Sequence, residues 1–316
     1  MKRAAAIGGI AALAASFNAR VAGAQAAAKI RLTTTPIDEG AQAYYAAELG
    51  LFAKHGLDVE VLSFTNGNDA ISAIVGNAVE IGNSNIMTVA SAHARKLPIQ
   101  LLGEAGVYSS LAPTAYILVT KTSLLRTASD LNGKTVAING LGGITQVAVQ
   151  SWVDGNGGDS KSLKFVDVPF AVEEAVLVAG HADAAILPEP LATFELSKGQ
   201  TRILCAPDDA IAKRFAIGGW VVKTDWLANN PTTVRAFNEA MREAARWGND
   251  PKNRQQSAAI LLKYTKIEVG AANRVVYGEH LVAADIQPQI DVAAKYGILA
   301  SAFPAADMFV PPPFRG

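Results

Sequence analysis

Four short stretches place small hydrogen-bonding groups where a strand hands over to a turn or helix: Thr34 and Thr35, Asn66 and Gly67, Ser84, and Gly142-Gly143-Ile144-Thr145. Hydroxyls and amides set beside helix N-termini, with their unpaired N–H groups and partial positive charge, suit non-covalent capture of a polar group such as an oxyanion. Each such contact contributes about 0.5–1.5 kcal/mol, and more when the bound group is charged. Glu189, held between Pro188 and Pro190 after an apolar run, is expected to face the same place. There it would receive an amine or donor-rich group, or close a hydrogen bond between lobes. Trp220 is a candidate wall. Each position also has a plainer role: Thr34 as a strand residue, Ser84 as a helix cap, Gly142-Gly143 as a tight turn, Trp220 as a core side chain.

Groups that break bonds are scarce. His55, His93, His181 and His280 are isolated, and none makes a metal-ligand spacing such as H-E-x-x-H. Gly82-Asn83-Ser84-Asn85-Ile86 begins like a nucleophile elbow but lacks its second glycine. Gly140-Leu141-Gly142-Gly143-Ile144-Thr145 follows a strand but misses the last small residue of a dinucleotide fingerprint. The residues therefore predict binding without catalysis, with no metal and no cofactor.

These groups need a scaffold, and 316 residues at 50% apolar and 18% charged are ample for two packed domains. The first 26 residues read as an export signal: Lys2-Arg3, an apolar run from Ala4 to Ala15, then small-x-small sites at Ala22-Gly23-Ala24 and Ala24-Gln25-Ala26. Cleavage after Ala24 or Ala26 would release the protein outside the cytoplasmic membrane. Removing residues 1–26 takes away Lys2, Arg3 and Arg20 and no acid, so 28 positive against 28 negative charges become 25 against 28, or −3. A mildly acidic chain has no footprint for nucleic acid. Cys205, the single cysteine, cannot form an intrachain disulfide and reads as a buried small hydrophobe.

Periodicity gives an α/β chain. Lys29 to Leu32 and Leu57 to Leu62 are predicted strands joined through a helix around Tyr44, which makes a parallel crossover. Asn66 to His93 then forms a helix–strand–helix unit, with Asn83-Ser84-Asn85 as the second cap. About a hundred residues on, Val168 to Pro190 repeats that unit: helix, Gly180-His181-Ala182-Asp183 break, strand Ala184 to Leu187. Two similar units imply two lobes with a cleft between them. The expected division is residues 27–118 with 223–316 as one lobe and 119–222 as the other, with Ala216 to Val222 carrying the chain back. From Asn230 the chain is predicted helical, in segments that include about Val269 to Ala284.

Taken in order, several stations resemble a known family. Tyr44-Tyr45-Ala46-Ala47-Glu48-Leu49-Gly50-Leu51-Phe52 with Gly56-Leu57-Asp58-Val59-Glu60, Asp130 to Ala137, Glu189-Pro190 and Ala294 to Leu299 are similar to type II periplasmic solute-binding proteins of the nitrate, sulfonate, taurine and thiamine-pyrimidine-precursor group. The resemblance implies two α/β lobes joined by two hinge strands, a small-molecule solute between them, and a monomer that docks on an ABC-type inner-membrane permease from the periplasm. Pyrimidine-precursor binders of the group tend to carry Asn and His after the first-loop proline, where this chain has Ile37 and Gly40. Asp38 and Glu39 beside them disfavour a highly charged anion. The expected solute is a small organic anion or zwitterion, sulfonate-, taurine- or carboxylate-like. The alternative is a thiamine-pyrimidine precursor, bound by a carrier or an enzyme of the same fold. One cysteine cannot supply the cysteine-rich motif of the eukaryotic pyrimidine synthases, and the expected export signal occupies the place where a regulator's effector half would need a DNA-binding segment.

Overall fold

The computed structural model describes residues 28–270 and 272–314. The export signal expected over residues 1–26 lies outside them. Among the described residues no helix is long and apolar enough to cross a membrane.

The chain starts with β1 (Ala28–Thr34), α1 (Ala41–Glu48), α2 (Leu51–Lys54) and β2 (Leu57–Ser63), then α3 (Gly67–Val75), β3 (Ile81–Asn85), α4 (Ile86–Ala94), β4 (Ile99–Glu104) and β5 (Gly106–Ser109). Gly50 and Gly56 adopt φ of 67° and 74°, a left-handed backbone that other residues reach only at a cost, and they turn the chain out of α1 and out of α2. A second lobe follows: β6 (Ala115–Thr120), β7 (Thr135–Ile138), α5 (Ile144–Gly155), β8 (Lys164–Asp167), α6 (Phe170–Val178), β9 (Ala184–Pro188), α7 (Leu191–Ser197) and β10 (Thr201–Cys205). The chain returns through β11 (Arg214–Ala216) and β12 (Gly218–Lys223), then α8 (Thr224–Asn229), α9 (Pro231–Asn249), α10 (Arg254–Thr265), β13 (Val276–Tyr277) and α11 (Ala283–Lys295).

The two large sheets share one plan. The first runs β2-β1-β3-β12-β4 and the second, read from its other edge, β8-β7-β9-β6-β10. In each, the first three strands are parallel and the fourth is antiparallel to its neighbours. That fourth strand is the segment that has just crossed from the other lobe. A small antiparallel sheet, β11-β5-β13, flanks the crossover.

This pairing moves the lobe boundaries. Residues 218–222, expected in the second lobe, lie in the first sheet, because a fully buried apolar strand fills the gap between β3 and β4. β6 enters the second sheet at Ala115, four positions before the expected boundary at 119. The crossings are the loops Ser110–Thr114 and Ala206–Lys213, tied by the Ser110 N–H donating to the Lys213 carbonyl at 2.9 Å. The helix expected over Val269 to Ala284 is absent. Backbone there is drawn into long-range bonds: Val275 N–H to Asp38 at 2.7 Å, Tyr277 N–H to Asn249 at 2.8 Å and Val282 N–H to Glu104 at 2.7 Å.

The first lobe's core packs Ile30, Leu32, Tyr44, Tyr45 and Trp220 against Phe237, Met241 and Leu261. Val147 of α5 belongs to a second cluster with Ile286, Ile290 and Met87, so α5 of the second lobe rests on α4 and α11 of the first. Ile117, Val136, Ile138 and Ile186 centre the second lobe.

Candidate functional site

The parallel strands of both sheets end at the same crevice, the place where open α/β sheets hold ligands. Thr35 follows β1, Asn66 and Gly67 follow β2, and Asn83, Ser84 and Asn85 end β3. From the other side come Asn139 after β7, Ile144 and Thr145 at the start of α5, Phe170 after β8, and Pro188 and Glu189 at the end of β9. Together with Asp38, Glu39, Thr114, Asp208 and the apolar side chains of Ile37, Ile186, Ile217 and Val275, they line a cavity of ≈ 80 Å³. A crevice of this kind between two lobes suits a small molecule and not a peptide.

The cavity is closed by bonds between the lobes. Asp38 N–H donates to the Glu189 carbonyl at 3.2 Å, and the Asn139 amide donates to the Thr65 carbonyl at 3.3 Å. Glu189 therefore makes the interlobe bond through its backbone, while its carboxyl accepts from Thr193, from N–H at 3.0 Å and from the hydroxyl at 2.8 Å. Burial raises its pKa against those two donors.

Four acids and no Lys, Arg or His line the cavity. Asp38 is neutralised from outside it: Arg274 donates at 2.6 Å, the Tyr277 hydroxyl at 2.9 Å and Val275 N–H at 2.7 Å. Glu39 accepts from Asn83 at 3.1 Å, yet burial still pushes its carboxyl up to about 7. Asp208, 4% exposed, has no hydrogen-bond donor on its carboxyl among the described residues, and burial with the adjacent Asp209 charge raises it to about 7. The Thr114 hydroxyl is likewise buried without a partner. Among the described residues no group of three or more His, Cys, Asp or Glu is placed to hold a metal ion.

Of the positions singled out in the sequence, Thr35, Asn66, Gly67, Ser84, Ile144, Thr145 and Glu189 come together at this cavity. Thr34, Gly142, Gly143 and Trp220 do not. The Thr34 hydroxyl donates to the Gly40 carbonyl at 3.1 Å and closes its own loop. Gly143 N–H donates to Gly140 and Gly142 N–H to the Gln146 side chain, so both amides are spent within the turn. Trp220 is a core residue whose indole N–H donates to Gln42 at 2.9 Å and whose ring meets Phe237 edge-on. The cap of α4 is Asn85, accepting from Thr88 N–H at 2.9 Å; Ser84 belongs to β3 and donates to the Gly67 carbonyl at 3.1 Å. α5 has no side-chain cap, so its first-turn N–H groups have no partner within the helix, and its first residues, Ile144 and Thr145, line the cavity.

Sequence reasoning missed Asp208, Thr114, Asn139 and Phe170 as lining. Asn139 and Phe170 were within reach as residues just beyond strand ends. Thr114 and Asp208 sit in the crossing loops, which no local pattern marks.

The family described as "NMT1/THI5 like" matches residues 39–253. A formylaminopyrimidine-binding protein of Halalkalibacterium halodurans is 30% identical over 143 residues, 45% of this chain; the match spans 42% of that relative's own length. Among solved structures, the alkanesulfonate-binding protein SsuA of Xanthomonas axonopodis pv. citri, bound to MOPS, superposes with a TM-score of 0.75 at 16% identity, over 90% of this chain and 99% of that one. The periplasmic nitrate-binding protein NrtA of Synechocystis PCC 6803 gives 0.68 at 19% identity, over 78% and 69%. At these identities the structures establish the periplasmic-binding-protein fold, two α/β lobes around a crevice.

Proposed function

The chain belongs to the NMT1/THI5-like family, and from that premise we propose that it is the extracytoplasmic solute-binding component of an ABC importer. It captures a small nitrogenous solute between its lobes and hands it to a membrane permease without turning it over. The observation that carries this reading is the interlobe cavity itself, walled by apolar side chains and lined by four acids with no cation. Such a lining repels nitrate or a simple sulfonate and attracts N–H donors. The α5 N-terminus supplies N–H groups for an acceptor at another point of the solute.

Apolar walls, Phe170 among them, together with these donors and acceptors suit an aminopyrimidine, the class named for the formylaminopyrimidine-binding relative. Pyrimidine-precursor binders of the group tend to carry Asn and His where this chain has Ile37 and Gly40, so a pyrimidine ring would be held here by a different set of residues. A second reading, an amino-sulfonate zwitterion such as taurine, is favoured by the pairing of acids with a helix N-terminus. A monomer that works outside the cytoplasmic membrane follows from the same premise.

A thermal-shift series tests this with formylaminopyrimidine, 4-amino-2-methylpyrimidine, taurine, methanesulfonate and nitrate. A ligand present at a hundred times its Kd stabilises the folded form by about 2.7 kcal/mol, enough to raise Tm by several degrees. The amine-bearing compounds should do this and nitrate should not. The reading is wrong if none of the five moves Tm, or if the protein converts its ligand.

A further inference from the structure

We propose that the Asp208 carboxyl, with the Thr114 hydroxyl, is the subsite that takes a protonated or N–H-bearing nitrogen of the solute. The inference rests on the reading of the cavity as a solute site and specifies which groups recognise the nitrogen.

Elimination points to Asp208. Both oxygens of Asp38 are used by Arg274, Tyr277 and Val275, both oxygens of Glu189 by Thr193, and one oxygen of Glu39 by Asn83. Asp208 alone among the cavity carboxyls accepts nothing from the described residues, and it lines the cavity while only 4% exposed. A buried polar group without a partner is costly, so a site of this kind is completed by its ligand. Thr114 has the same character: its hydroxyl is unpartnered, while its backbone carbonyl accepts from Glu189 N–H at 2.8 Å.

No cation of the protein serves Asp208. Its titratable neighbours are Asp209, Tyr108 and Cys205. Asp209 is itself held by the Tyr108 hydroxyl at 2.7 Å and Lys213 at 2.6 Å. On the elements around it, the α5 charge, Asp154, is bound to Ser160 and Tyr296; Arg202 of β10 donates to backbone carbonyls of Ser123 and Leu125; Arg214 of β11 pairs with Asp285. Among the described residues none brings a positive charge or a donor to Asp208, which leaves that part to a nitrogen of the solute.

Position adds a second consequence. Thr114 lies on the first crossing loop and Asp208 on the second, and these loops are already bonded through Ser110 and Lys213. A nitrogen held by both is recognised where the lobes are joined. Proton linkage follows as well. Burial leaves the empty Asp208 near half-ionised at neutral pH, and an arriving cation favours the carboxylate, so a proton leaves as the solute binds. For a solute whose nitrogen stays protonated throughout, as taurine's does, affinity then rises with pH up to about 7 and levels off, falling by about tenfold per pH unit well below that.

The test is calorimetry on the full chain, wild type, Asp208→Asn and Thr114→Val, from pH 5.5 to 8 in two buffers of different ionisation enthalpy. The probes are 4-amino-2-methylpyrimidine and taurine, with methanesulfonate as the anion. The wild type should bind an amine-bearing probe and release a fraction of a proton near pH 7. D208N should bind at least tenfold more weakly with clearly less proton release than the wild type, and T114V a few-fold more weakly with release intact. Unchanged affinity and proton release in D208N overturn the proposal. If D208N fails to fold, a flat wild-type pH profile without proton release overturns it equally; because Glu39 lines the same cavity and is also pushed up to about 7, a sloping profile is repeated in Glu39→Gln, where proton release that persists supports the proposal and release that vanishes overturns it. Binding of methanesulfonate but of neither amine sinks the subsite and leaves solute capture standing, whereas no binding by any probe removes both.

Discussion

Asp38 and Arg274 lie 236 positions apart in the chain, yet their side chains meet at 2.6 Å beneath the cavity floor, both almost fully buried. Arg274 also donates to Tyr45 and, at 3.2 Å, to the Ser257 hydroxyl, so one guanidinium ties α1, α10 and the loop before β13 to the acid that lines the site. Removing one partner of such a pair strands the other charge. Arg274→Ala is therefore expected to cost about 3–5 kcal/mol in urea unfolding. Adding Asp38→Asn in the same background should recover part of that, because the stranded charge disappears. Equal stability of R274A and the wild type would mean that the pair is solvated. Legibility at this scale follows sequence distance. Thr35, Asn66, Ser84 and Glu189 were readable because each stands just beyond a strand that its own neighbours define. Asp208, in Pro207-Asp208-Asp209, carries no local mark of burial, and the packing of that turn on α5 buries it. Asp38 showed up as a nearby acid, but nothing local announced its partner.

Elements show the same division. The βαβ starts, the repeated helix–strand units and α9, with Val234, Phe237, Met241, Ala244 and Ala245 buried along one face, are local patterns, and the structure contains them. β5 and β13 escaped notice, being four and two residues long and held by pairing with segments distant in sequence, β5 with β11 and β13, and β13 with β5. β12 was visible as a strand but not as a member of the first sheet, since sheet membership is decided by neighbours distant in sequence. Its position does leave one local mark, Gly219. A Cβ there would lie 2.7 Å from Leu101 Cδ2 and 2.9 Å from the Gly103 carbonyl oxygen, and backbone cannot step aside as a side chain can. Gly219→Ala should lower stability by about 1–3 kcal/mol through overpacking. Gly155 at the exposed end of α5 has nothing within 4 Å of the same point, and its change to Ala should be neutral or stabilising by up to about 1 kcal/mol. Thermal melts of the two variants side by side decide the point; similar losses in both would show that close approach is not what Gly219 provides.

For the whole molecule, the shared sheet plan explains why the sequence echoes itself: each lobe is a parallel three-strand unit completed by a strand borrowed across the crossing. Opening the crevice must then bend the loops Ser110–Thr114 and Ala206–Lys213 and part the contacts between lobes. Some of those contacts are far from the cavity. Val147 of α5 is fully buried against α11 and α4, and the Tyr296 hydroxyl at the end of α11 donates to Asp154 of α5 at 2.9 Å. Neither side chain lines the cavity. If capture works by closing an otherwise open protein, solute affinity scales with the fraction of molecules able to close, so a remote latch tunes binding without touching the solute. Tyr296→Phe removes one hydrogen bond, worth about 0.5–1.5 kcal/mol, and should weaken binding of an amine-bearing probe by roughly two- to tenfold. Small-angle scattering should show the same compaction on binding, but at higher probe concentration. An unchanged Kd would mean that α5 stays docked on α11 in both states, and the moving surface would then be confined to the Asp38–Glu189 and Asn139–Thr65 contacts at the cavity mouth.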